Sequence, residues 1–154
     1  KTVLKQPPFT LLWFAPVSIL LGISRALVLT LSFKRIVSQL GHNAGNRPAI
    51  PLLSPTQEQR AQQIGQVVRL AAKYAPWQAN CFAQAITARL LLGLYGIPYS
   101  LYFGLAREGD VSNMSAHAWV AAGRVRVTGG YSFGHYTVVG CFIMPTLRAL
   151  PQVL

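Results

Sequence analysis

The stretch NCFAQAITARLLLGLYG, from Asn80 to Gly96, constrains this chain more than any other. It predicts a buried helix. Asn80 suits the N-cap, because its short side-chain oxygen can accept an orphan N–H of the first turn. Phe82, Ala85, Ile86, Arg89 and Leu90 follow in helical sequence, Gly93 and Gly96 are stop signals, and Pro98 forbids continuation. Cys81 then falls in the first turn. A helix N-terminus favours negative charge, and the thiolate is the nucleophilic form of cysteine. About two strands later comes AHAWV, from Ala116 to Val120, which carries His117. A cysteine opening a helix and a histidine on a following strand are the two halves of a thiol–imidazole site, provided the fold brings them together.

At 154 residues the chain suits one domain with a real core, or a small domain with a helical extension. Hydrophobic residues make up 52% and charged residues 11%, so the chain must bury much of its surface, hold a partner or touch a membrane. Lys and Arg number 14 against three acids, a formal net charge of +11. They are spread from Lys1 to Arg148 without a dense run. That speaks against a nucleic-acid interface and for an acidic peptide or acidic protein partner. Cys81 and Cys141 are the only cysteines, too few for a secreted disulfide scaffold, and the expectation is a reduced, cytoplasmic setting.

From Phe9 to Leu31 the chain is almost wholly apolar, interrupted by Pro16 and Arg25. The length suits a membrane span, which needs roughly 20 apolar residues. Arg25 near the middle argues against one, since a charge at the bilayer centre costs about 3 kcal/mol or more. Packing on the domain or a partner, attachment at a membrane surface and a true span all stay open. SFKRIVSQL continues with Phe33, Ile36 and Leu40 at helical spacing. Gly41, Asn43, Gly45, Asn46, Pro48 and Pro51 are turn formers, and the expected boundary falls among them. Residues 1–50 then form a hydrophobic helical region and residues 51–154 the main domain.

Ser54 and Pro55 open a helix that runs to about Tyr74, with Ile64, Val67, Val68 and Ala71 on its apolar face. After the Cys81 helix, residues 99–106 and 116–121 read as strands around a polar hairpin loop. Residues 124–128, with Val125 and Val127 facing in, and residues 135–144 read as two more. Helices followed by antiparallel strands predict an α+β fold.

Each candidate residue has a plainer reading. A buried, inert thiol is the default for a free cysteine, and only its place at a helix start lifts Cys81 above it. Cys141, in GCFIM, reads as core. His117 shares a strand face with Trp119, while Ala118 and Val120 take the other. A histidine in such a strand is more often a satisfied structural residue, and Cys81 as partner is what would make it a base. His42 and His135 read as solvated. No close-spaced Cys/His pair supports a metal site, and no glycine pattern supports a phosphate site. Glu58, Glu108 and Asp110 leave little material for paired-carboxylate chemistry.

Together, ANCFAQAITARLLLGLYGIPYSLYFGLAR, AHAWV and GRVRVTGGYSFGHYTVVGCF resemble the transglutaminase-like cysteine peptidases that mature lasso peptides. SFKRIVSQLG resembles the segment that precedes their catalytic domain, and the resemblance covers most of residues 33–143. It implies a reduced papain/transglutaminase-like core, a nucleophile-bearing helix packed on an antiparallel sheet, with an N-terminal helical extension. It also implies a peptidase that removes the leader from a ribosomally made precursor before a separate cyclase closes the macrolactam. In many systems of that family a small recognition domain, either fused or a separate protein, presents the leader, and the chain resembles the separate-protease form.

Residue by residue, the resemblance gives Cys81 the nucleophile's place and His117 that of the general base. The family's aspartate falls at roughly residues 127–130, where VTGG holds no acid. Thr128 could orient the imidazole through its hydroxyl, Asp110 could substitute from the preceding loop, or a dyad could suffice. The oxyanion hole would come partly from the Cys81 backbone N–H, with Gln78 as a side-chain donor. Family members have been linked to ATP dependence, for which the chain has no nucleotide motif, and no metal or other cofactor is expected. Rival readings are a transglutaminase-like acyl transferase on another peptide and a non-catalytic peptide-binding subunit. The apolar stretch from Phe9 to Leu31 is expected to dock the presenting partner or the inner face of the membrane.

Overall fold

The structure, a computed structural model, describes residues 7–38, 40, 42–45, 50–107, 114–130 and 134–144. Its elements run α1 (Pro8–Thr30), α2 (Phe33–Val37), β1 (His42–Asn43), α3 (Pro55–Tyr74) and α4 (Cys81–Leu94), then β2 (Ser100–Arg107), β3 (Met114–Ala122), β4 (Val125–Thr128) and β5 (Thr137–Ile143). Local chemistry accounts for the helix starts. The Ser54 hydroxyl accepts the Gln57 N–H while the Gln57 side chain accepts the Ser54 N–H, a closed capping box with Pro55 in the first turn. Asn80 Oδ1 accepts the Ala83 N–H at 3.0 Å, which sets the start of α4 at Cys81. Pro16 sits inside α1 without ending it. It lies on the exposed side, where water can satisfy the carbonyl that its missing N–H leaves unpaired.

The strands form one antiparallel sheet in the order β1-β5-β2-β3-β4. Alternation sorts their side chains to two faces. Leu101, Ala118, Val120, Val127 and Phe142 meet the helices and share a core with Ile64, Val68, Ile86 and Leu92. Tyr102, Trp119, Ala121 and Cys141 face the other way and form a second, aromatic cluster with Tyr136 against it. Helix α3 packs on β4, α4 packs on β3, and α1 lies against both helices. The result is the mixed helix and antiparallel-sheet layout that the residue pattern predicts, with the N-terminal helix added to it.

His42 pairs with Ile143 and Asn43 with Phe142, so β1 adds the edge of the sheet. Val17 and Leu21 of α1, Ile36 of α2 and Leu40 belong to the main core. Sheet and core therefore include residues on both sides of residue 50. Only one side of α1 is buried; Leu12 is 73% exposed and Ile19 66%. By length and composition α1 is long and apolar enough to cross a membrane.

Candidate active site

Cys81 is the first residue of α4, half-buried and unbridged. The segment leading to it is held by α1. The Arg25 guanidinium donates to the Gln78 carbonyl, and the Trp77 ring lies 3.1 Å from the position a Cβ on Gly22 would take. Arg25, the charge that interrupts the apolar stretch, thus anchors the loop before the candidate nucleophile. The Gln78 side chain, expected as an oxyanion donor, is exposed on that loop.

Phe82 turns into an aromatic trio with Phe33 at 5.8 Å and Phe103 at 5.3 Å, and those two rings are themselves 5.3 Å apart. Phe33 and Phe103 wall a cleft of about 250 Å³ that continues along Val37, Asn43, Gly140 and Phe142. An apolar recess therefore adjoins the turn that carries the thiol.

His117 lies in β3 opposite Gly104 of β2. As alternation predicts, it shares a face with Trp119, the two rings 6.0 Å apart at 23°. A closer stack comes from Tyr136, at 4.9 Å and 24°. Gly104 makes room for this packing: a Cβ there would sit 2.7 Å from both the Trp119 ring and Tyr136 Cβ. The imidazole Nε2 lies 3.4 Å from the Gly129 carbonyl oxygen.

Cys81 and His117 belong to different clusters. Cys81 and Phe82 pack at the margin of the helix-side core, where β3 contributes Ala118 and Val120. His117 sits with the aromatic residues of the opposite face. Among the described residues the hydrogen bond of the imidazole runs to Gly129, and none joins it to the thiol.

Thr128 is one of three options for orienting the imidazole, beside Asp110 and a dyad, and its hydroxyl bonds to β3. Thr128 is buried, and its Oγ1 accepts the Val120 N–H at 3.2 Å, where the β3–β4 register shifts. The group that meets His117 is instead the carbonyl of the next residue, Gly129. Asp110 lies outside the described residues. Glu58, the one acid among the described residues, stands beside Leu53 and Gly123 at the far end of β3. Cys141 is fully buried, while His42 and His135 are exposed. Gly129 and Tyr136 escaped the reading of the residues. The signal available for the first was the Gly129-Gly130 doublet directly after a strand, and both residues adopt positive φ, 81° and 62°.

The profile of the transglutaminase-like superfamily matches residues 25–141, well over half of the chain. The chain belongs to that superfamily. The match opens within α1 at Arg25 and closes in β5 at Cys141, so this transglutaminase-like span holds Cys81, His117 and the Gly129 turn together. No curated protein and no solved structure matches the chain. Transglutaminase-like proteins are typically cysteine peptidases or acyl transferases. Both chemistries run through a cysteine acyl intermediate and differ in whether water or an amine resolves it.

Proposed function

We propose that this transglutaminase-like protein is a cysteine peptidase that removes the leader from a lasso-type precursor peptide. It works with a small leader-recognition protein and ahead of a macrolactam-forming cyclase. The observation that carries the reading is the half-buried thiol of Cys81 at the Asn80-capped start of α4, inside the superfamily match. In this scheme His117 takes the thiol proton and the thiolate attacks the scissile carbonyl. His117 returns the proton to the departing amine, and water then hydrolyses the thioester. First-turn N–H groups of α4, with the Gln78 amide, receive the negative charge that develops on the carbonyl oxygen.

The scheme requires the α4 turn and the β3 imidazole to meet across the bound peptide. The cleft walled by Phe33 and Phe103 supports seating of an apolar side chain near the cut. A net charge of +11 suits an acidic leader. The exposed side of α1, with Leu12 and Ile19, would dock the presenting protein or the inner surface of the membrane, which goes with a cytoplasmic location.

The test is to incubate the protein with precursor and recognition protein and to follow the precursor by mass spectrometry. A cut between leader and core that Cys81→Ala abolishes supports the reading. A product in which an added amine, rather than water, ends the acyl group would point to the acyl-transferase rival. A second reading, a non-catalytic peptide-binding subunit, is favoured by the placement of Cys81 and His117 in separate clusters. It stands if no leader context yields a cut while the peptide still binds.

A further inference from the structure

We infer that the main-chain carbonyl of Gly129 positions the His117 imidazole, in place of a carboxylate, and holds it in the tautomer protonated at Nε2. The catalytic use of the ring rests on the peptidase reading above. The tautomer does not.

A carbonyl oxygen can only accept a hydrogen bond, so the nitrogen 3.4 Å from it must carry the proton. In a neutral ring that leaves Nδ1 bare, the nitrogen able to take a proton from a thiol. The carbonyl is fixed from both sides. Thr128, just before it, is tied to β3 through its hydroxyl on the Val120 N–H, and Gly129 itself adopts φ 81°, a conformation that favours glycine. The ring is fixed as well, by the 4.9 Å stack on Tyr136.

The same geometry excludes an acid at residue 129. A Cβ at residue 129 would lie 3.2 Å from His117 Nε2, the right direction for a side chain that addresses the ring. It would also lie 2.3 Å from Trp119 Cβ, closer than real Cβ atoms approach. The backbone has come so near β3 that a side chain is excluded and the peptide group does the work. A neutral dipole orients the ring but stabilises an imidazolium less than a carboxylate would.

The deciding measurement is the imidazole ¹H–¹⁵N long-range correlation spectrum of the ¹⁵N-labelled full chain at alkaline pH, where a free imidazole is neutral. The His117 signals are assigned by their loss in His117→Gln. The expected result is a single tautomer with the proton on Nε2. A proton on Nδ1, or an even mixture of the two forms, overturns the inference. Gly129→Ala adds a second readout: the turn must shift, and the single tautomer should give way to a mixture. A folded Gly129→Ala protein that keeps the Nε2–H form in full also overturns it. If that variant fails to fold, the wild-type spectrum alone decides. The two readings fail separately. An Nε2–H ring without leader cleavage sinks the peptidase and leaves the positioning, whereas cleavage with an Nδ1–H ring does the reverse.

Discussion

Ser24 of α1 and Thr87 of α4, both fully buried, share a 3.1 Å hydrogen bond between their hydroxyls. Thr87 also lies 2.9 Å from the Ala83 carbonyl. A threonine hydroxyl has one proton, so Thr87 divides it between the Ser24 oxygen and that carbonyl. The apolar N-terminal helix is thereby tied by a specific polar contact to the helix that carries the candidate nucleophile. Thr87→Val keeps the shape and removes the partner, leaving Ser24 buried and unpaired. It should cost about 1–3 kcal/mol, and the double change Ser24→Ala with Thr87→Val should recover much of that. Urea denaturation of the two variants decides the matter. Equal losses in the single and double variants would mean that the bond contributes nothing to docking α1.

The two cysteines should differ sharply toward alkylation. Cys81 is half-buried at a helix start, whereas Cys141 is buried completely in β5 within the aromatic cluster. A fully enclosed thiol reacts only when the protein opens, which lowers its apparent rate by the population of the open state. Iodoacetamide should therefore label Cys81 first, faster on the order of tenfold or more, with Cys141 following only after denaturation. Peptide mapping by mass spectrometry reads this directly. Comparable labelling of both thiols in the native protein would contradict the placement of β5.

Helix α3 and strand β4 meet at Gly65. A Cβ there would sit 2.7 Å from the Val127 carbonyl oxygen, the same oxygen that accepts a hydrogen bond from Arg69 at 3.1 Å. Neither backbone can give way freely, because Val127 is packed in the core and Thr128 is bonded to β3. Gly65→Ala should therefore destabilise the protein by about 1–3 kcal/mol, although alanine is the better helix former. The shift also reaches the adjoining Gly129 turn, so the His117 tautomer should loosen with it. A Gly65→Ala protein as stable as the parent would show that this contact is slack.

These contacts show what was legible in the residues and what was not. Capping is local chemistry, so Ser54 and Asn80 announced α3 and α4 in the sequence. Alternation is a property of one strand, so the common face of His117 and Trp119 could be read directly. The pairing of His42 with Ile143 has no such local sign. A two-residue strand carries no period, and its partner lies a hundred residues away. The carbonyl contact to His117 was hidden for a related reason, since it depends on the backbone angle of Gly129 rather than on any side chain. How α4 and β3 place Cys81 and His117 depends on sheet twist and helix docking, neither of which a spacing along the chain specifies.

Arg89 and Tyr99 supply a prediction in pH. Tyr99 is buried, and its hydroxyl accepts the Arg89 Nε–H at 2.8 Å. Burial holds the phenol above its ordinary value of 10.0, and the neighbouring guanidinium offsets part of that by favouring the phenolate. The folded protein thus keeps a proton that the unfolded chain releases above pH 10. The associated stability is fully present below pH 10 and is lost as the pH rises through the folded-state value. Denaturation midpoints should accordingly fall as the pH rises above 10, and Tyr99→Phe should flatten the fall. The variant should also be weaker at neutral pH by about 1–3 kcal/mol, having lost a hydrogen bond to a charged donor. Parallel alkaline slopes in the two proteins would show that Tyr99 does not titrate with unfolding.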